Sequence, residues 1–305
     1  MAMKNVKNAN YCQIDHSIKN ISQIKGVFIL PSAEAWKKFR WTRKYFEKKP
    51  KEGYFVWVKK EINFPFTTCI TIASSKVRQN LNNLLVIEKD IKVKANLLCN
   101  SARKHLRGFH KAEGKILLKE KASLEYNHVH QWGSKDIVNS EYEFILEEGS
   151  RLVYNYKNLL PPKVLNIKTT IYNANESSSN LNFVASGIRN SKISIKDKVF
   201  LEGENSQGNI KLRLVGKDRS QIATVSSIVA SAPGKGHLDC QGLLTSKNAK
   251  ISLTPELICQ NKSAQITHEA SIGKIAEEEL SYLRMRGLKE EEAINLITNG
   301  FLNLW

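Results

Sequence analysis

Between residues 76 and 266 apolar and polar positions alternate in short bursts, each opened by a turn-forming or small pair. Gly149-Ser150 precedes Arg151-Leu152-Val153-Tyr154-Asn155-Tyr156, and Asn190-Ser191 precedes Lys192-Ile193-Ser194-Ile195-Lys196-Asp197-Lys198-Val199. Glu176-Ser177, Asn205-Ser206, Arg219-Ser220, Asn248-Ala249 and Lys262-Ser263 stand in the same role. Alternation with period two marks strands. The openings at 176, 190, 205, 219, 248 and 262 are spaced by 14, 15, 14, 29 and 14 residues, the 29 being two units with one marker missing. Such a unit has no room for a helix and falls well short of the ~40-residue propeller blade. Units this regular bury their apolar faces by stacking on one another. The pattern therefore predicts a mainly β chain whose core, residues 76–266, is a parallel β-helix. A β-sandwich with evenly spaced strands is the competing architecture.

The flanks read differently. Residues 1–75 are expected to form a helical or mixed region. Within it Ser32-Ala33-Glu34-Ala35-Trp36 opens with a Ser cap, and aromatics at 36, 39, 41, 45 and 46 form a broad stripe suited to a core. Residues 267–305 are expected to be helical. Glu277, Glu278 and Glu279 fall in a first turn, Arg284 and Arg286 in a last turn, and Gly287 at an αL cap. A second helix follows Leu288, with Ile294, Ile297 and Phe301 on one face.

Charge and cysteine usage narrow the function classes. The 305 residues carry 47 Lys plus Arg against 29 Asp plus Glu, a net charge of +18. The lysines are spread along the chain, with mild density at Lys37-Lys38, Lys44 and Lys48-Lys49-Pro50-Lys51. No helix-turn-helix, zinc finger or RNA-binding aromatic signature accompanies them, so nucleic acid is not the expected partner. No run approaches the ~20 apolar residues that span a bilayer. The Met1–Asn8 segment is charged without a following apolar stretch, so no secretory signal is expected. Five cysteines, Cys12, Cys69, Cys99, Cys240 and Cys259, are an odd number and read as reduced thiols in a cytosol. Their gaps of 57, 30, 141 and 19 residues exclude CxxC metal motifs. Pro233-Gly234-Lys235-Gly236 lacks the upstream Gly and final Ser or Thr of a phosphate-binding loop.

Several stretches resemble one family. Thr267-His268-Glu269-Ala270-Ser271-Ile272-Gly273-Lys274, continuing through Arg284-Met285-Arg286-Gly287-Leu288 to Asn299-Gly300-Phe301-Leu302, resembles the end of SufB/SufD proteins. Glu34-Ala35-Trp36-Lys37-Lys38-Phe39, Phe200-Leu201-Glu202-Gly203-Glu204-Asn205-Ser206 and Gly236-His237-Leu238-Asp239-Cys240-Gln241-Gly242-Leu243-Leu244 agree. The resemblance implies a β-helix with helical ends, acting as a non-enzymatic cytoplasmic scaffold for a transient iron–sulfur cluster. It also implies pairing through the β-helices, a SufC-type ATPase docked on the C-terminal helices around Ile294, Ile297 and Phe301, and apo iron–sulfur proteins as recipients. Cys240-Gln241-Gly242-Leu243-Leu244 and His268-Glu269-Ala270 take the SufB form. The chain is thus similar to a compact SufB-like protein of a minimal system, paired with itself or with a SufB/SufD paralogue. The other readings are a SufD-like structural partner that ligates no cluster, and a basic solenoid that binds polyanions.

On that resemblance Cys240, His268 and Glu269 are the candidate cluster and metal ligands, with Cys240 also a candidate sulfur acceptor. Cys240 and His268 are 28 residues apart, two 14-residue units, which predicts one shared face and a separation of about 10 Å across two strand spacings. Glu269 falls on the opposite strand face and joins them only through a bend. Cys99 is a further candidate thiolate if its rung faces the seam between subunits, and otherwise a packing residue. Cys69 and Cys259 are expected to be packing residues, and Cys12 lies in an N-terminal segment expected to be mobile, with no role assigned. His128 and His130, at i and i+2, could bind a metal but read more simply as a hydrogen-bonding surface pair.

Overall fold

In a computed structural model, residues 9–22 and 24–303 are described; the segment read for a leader lies outside them. The strands in chain order begin with β1 (Asn10–Ile14), β2 (Ser17–Ser22), β3 (Val27–Pro31), β4 (Tyr54–Val58), β5 (Phe66–Ile72), β6 (Arg78–Ile87) and β7 (Lys92–Ser101). They continue with β8 (Phe109–Leu118), β9 (Ser123–Gln131), β10 (Ile137–Leu146), β11 (Arg151–Leu160), β12 (Val164–Asn173) and β13 (Ser178–Gly187). The last are β14 (Lys192–Leu201), β15 (Ser206–Gly216), β16 (Gln221–Ala230), β17 (Gly234–Leu244), β18 (Lys250–Cys259) and β19 (Gln265–Lys274). The helices are α1 (Ser32–Lys38), α2 (Glu277–Met285) and α3 (Glu290–Phe301).

Odd strands from β5 to β19 stack in parallel in one sheet, and even strands from β4 to β18 stack in the other. Each coil is therefore one even and one odd strand, and eight such pairs run from β4–β5 to β18–β19. This refines the sequence reading, because the 14-residue unit is half a coil. Register confirms it: Lys192 pairs with Gln221 and Gln221 with Lys250, steps of 29 residues. Alternate residues of every strand point into a continuous interior of Leu, Ile, Val, Phe and Tyr.

The corners set the beat. Lys76, Asp90, Arg107, Lys121, Glu176, Arg189, Asn205 and Asp218 adopt left-handed φ between 55° and 62°, and Gly149 does so at 65°. The small residues that follow, Ser150, Ser177, Ser191, Ser206 and Ser220, are buried. At Gly203 the chain passes so close to the previous coil that an added Cβ would lie 2.0 Å from the Asn175 nitrogen. No side chain fits there.

Several expectations are corrected. Parallel strands extend from β4 to β19, past both expected limits of 76 and 266, so His268 and Glu269 lie in the final strand and not in a helical region. The N-terminal region mixes five strands, β1 to β5, with one short helix. Its helix stops at Phe39, which is extended (φ −120°, ψ 96°), and a 3-10 turn, Arg40–Tyr45, follows. Ser32 does not cap α1; its hydroxyl donates to the Asn82 carbonyl at 2.6 Å. The aromatic stripe is core as expected, with Trp36, Phe39, Trp41, Tyr45 and Phe46 packing on Phe55, Leu84, Val86 and Leu117 across one outer sheet face. Gly287 ends α2 with φ 96°, as its position implied. At the other end α3 folds back, with Ile297, Phe301 and Leu302 packing on Val184, Val215 and Leu243 of the odd-strand sheet.

Candidate functional site

Cys240 lies in β17, one strand from the end of its sheet, and points inward between Leu212 and Ala270. It is 1% exposed. Burial pushes its thiol up to about 12, and the charges of Asp197 and Asp239 act in the same direction. His268 pairs with Leu238, a buried inward position, so it shares the interior-facing parity of Cys240. The expected separation of two strand spacings is corrected to one strand across and two residues along, roughly 8 Å between Cα atoms. His268 is exposed because β19 is the last strand of its sheet.

Glu269 does not join them within one chain. The β17–β19 register is unbroken from Lys235–Gln265 to Leu244–Lys274, so no bend turns Glu269 inward, and it pairs with outward-facing Asp239. Asp239 is itself held by a bidentate pair with Arg213, at 2.9 and 2.7 Å.

Opposite Cys240 the interior becomes polar, a feature that no sequence motif marks. Thr169, Asp197 and Ser226 stand in register on β12, β14 and β16, all fully buried. The Thr169 hydroxyl lies against Asp197 and the Ser226 hydroxyl against Cys240, but none of these groups makes a well-formed hydrogen bond. Burial pushes the Asp197 carboxyl up to about 7. The signal was present in the strand pattern: Asp197 has the parity of Ile193, Ile195 and Val199.

The remaining candidates scatter. Cys99 faces the interior and not a seam, with its Sγ 3.5 Å from His128 Nε2. His128 and His130 are 0% exposed, which overturns the surface-pair reading: they continue the inward parity of Leu124 and Tyr126. Burial holds His128 neutral, with its pKa down at about 3. Cys12 is fixed in β1 beside Cys69 of β5, both half-buried, and is not part of a loose segment. Cys259 is exposed and donates to the Asn261 carbonyl at 3.3 Å, so it is not a packing residue. Among the described residues no helix is long and apolar enough to cross a membrane.

Comparison with known proteins gives the family. Residues 70–301 match the family described as SUF system FeS cluster assembly, SufBD core domain. An iron–sulfur cluster assembly SufBD family protein of Archaeoglobus fulgidus is 28% identical over 99% of this chain and 86% of its own length. One from Methanothermobacter thermautotrophicus is 31% identical, covering 83% of this chain and 62% of the relative, and one from Methanocaldococcus jannaschii is 26% identical over 83% and 78%. With the family match spanning most of the molecule, the chain belongs to the SufBD family, whose role is in iron–sulfur cluster assembly.

Proposed function

We propose that this chain is a cytosolic scaffold on which an iron–sulfur cluster, its cargo, is built at the C-terminal end of the solenoid between two copies. The observation that carries this reading is the last coil, uncovered among the described residues, where a thiol and a histidine share an inward face. Ile251, Leu253, Leu257 and Ile266 are only half-buried there, and Ile272 is 44% exposed. A solenoid end with this much apolar surface calls for a cap, and the free edge of β19 calls for a strand partner. A second copy supplies both, and with them a second Cys240, His268 and Glu269. A mixed shell suits a scaffold: thiolate binds iron tightly, whereas imidazole and carboxylate release it more readily. Cys240 serves as ligand, or accepts sulfane sulfur from a donor persulfide by exchange that leaves the donor a free thiol. Apo iron–sulfur proteins then receive the cargo.

ATP hydrolysis belongs in this reading to a SufC-type ATPase on residues 267–305. Ile297 and Phe301 anchor α3 to the sheet, while Tyr282, Met285 and Leu296 leave an exposed apolar surface beside Ile294 for the partner. The buried, protonated Cys240 thiol favours a second reading, a SufD-like partner that ligates no cluster. In the scaffold reading the ATPase must open the last coil before the thiol can react.

Anaerobic reconstitution with the ATPase, iron and sulfide separates the two. Wild type should give cluster absorption and a Mössbauer signature, and a folded Cys240→Ser variant should lose most of both. An unchanged spectrum in the variant removes Cys240 from the site, and no cluster in either protein favours the structural partner.

A further inference from the structure

Far from the open end, where β7, β9 and β11 stack, the interior changes from aliphatic to nitrogen- and sulfur-bearing. Cys99, His128 and His130 each place one donor atom within 4.8 Å of the others, and all three are buried. We propose that these residues hold one divalent transition-metal ion of the zinc class, a resident site separate from Cys240 and independent of the assembly reading.

Geometry supports a shared ion. Ligands bonded at about 2.3 Å (sulfur) and 2.0–2.1 Å (nitrogen) with a tetrahedral angle lie roughly 3.6 Å apart. Cys99 Sγ and His128 Nε2 lie 3.5 Å apart. The outer nitrogens are engaged as those of metal-bound imidazoles usually are, by a group that fixes ring orientation and tautomer. His130 Nδ1 is 2.8 Å from the Tyr156 hydroxyl, and His128 Nδ1 is 3.4 Å from the Tyr154 hydroxyl. With Nδ1 so occupied, Nε2 presents the lone pair, and the His130 Nε2 is buried without any partner. His110 stands beside His130, ring centroids 6.4 Å apart, but lies outside the donor cluster, with its Nδ1 held 2.9 Å from Gln79 Oε1.

The donor set decides the class of ion. One sulfur and two imidazoles suit zinc and its first-row neighbours, and do not suit magnesium or calcium, which take oxygen ligands. Binding turns the Cys99 thiol into a thiolate and releases its proton to solvent, while the imidazoles bind as neutral donors. Because the site is enclosed, loading accompanies folding and exchange in the folded chain is slow.

The test uses the full chain. Metal is counted by mass spectrometry after gel filtration in chelator; the chain is then unfolded, stripped and refolded with Co2+ alone. Close to one equivalent of metal per chain is expected, with a thiolate-to-Co2+ charge-transfer band after refolding. Cys99→Ala and His130→Gln should each lower retained metal at least tenfold, and Cys240→Ser should leave it unchanged. Wild type that regains its native circular dichroism yet takes up no Co2+ overturns the site, with no need for any variant to fold. Unaltered metal in folded Cys99→Ala and His130→Gln overturns it equally. Failure of the assembly reading would appear instead in the Cys240→Ser reconstitution.

Discussion

A single inward-facing carboxylate has measurable consequences here. Asp197 is buried, neither of its oxygens makes a well-formed hydrogen bond, and burial lifts its pKa to about 7 from an ordinary value of about 3.9. The folded chain therefore keeps this proton in a range where the unfolded chain has lost it. Its contribution to stability is full below about pH 4, declines as pH rises through about 7, and is a constant penalty above that. Asp197→Asn keeps the shape without the charge. The variant should match wild type near pH 4 and exceed it at pH 8 by about 4 kcal/mol, three units at about 1.4 kcal/mol each. Urea unfolding at both pH values checks this, and a stability difference that does not change with pH refutes it. Legibility at this scale follows parity. Asp197, His128 and His130 are readable as interior residues because they sit in phase with Ile195, Leu124 and Tyr126. Residue type alone points the histidines to the surface, and parity overrules it. Convergence on Cys99 was not readable, since it depends on a register between strands that the spacing of one strand does not contain.

At the scale of elements, the 14-residue beat was legible because many corners carry a left-handed residue and a buried small one beside it, as at Glu176-Ser177 and Asn205-Ser206. That two beats make one coil was not, because each beat looks alike whichever sheet it enters. The error moves residues 28–30 apart from second neighbours to first neighbours, which is why Cys240 and His268 approach more closely than the beat implied. The helical stripe was legible too, but not what it covers. Ile297 and Phe301 lie against Val184, Val215 and Leu243, whereas Leu296 on the other side of α3 is 55% exposed. These two positions should behave differently. Ile297→Asp puts a charge into the helix–sheet contact and should cost about 2 kcal/mol of local stability, freeing α3. Leu296→Asp should leave α3 in place and weaken only the ATPase complex. Hydrogen exchange over residues 277–303 checks the first and a pull-down with the ATPase checks the second. Equal protection in both variants would contradict the packing assigned to Ile297.

The whole molecule is asymmetric in a way that bears on its assembly. At the N-terminal end, hairpin β1–β2 extends one sheet and antiparallel β3 closes the other, with α1 and its aromatic cluster laid over the outer face. At the C-terminal end, among the described residues, β18 and β19 finish their sheets without a covering element, and inward positions that are buried in earlier coils are half-buried or exposed. On the proposed self-pairing, the second end is the one that association covers. Ile272 has inward parity opposite Gly242 and lies in that uncovered coil, clear of the Arg213–Asp239 pair on the outer face. Ile272→Lys should leave the monomer folded, because the coil beneath it is complete, and should raise the dissociation constant of the dimer at least tenfold, about 1.4 kcal/mol. Sedimentation across a concentration series reads this directly, with thermal unfolding as the control for fold. A wild type that stays monomeric at every concentration would remove the self-pairing reading and assign the open coil to a paralogue. A dimer unmoved by Ile272→Lys would place the contact elsewhere and leave the exposed last coil without its cap.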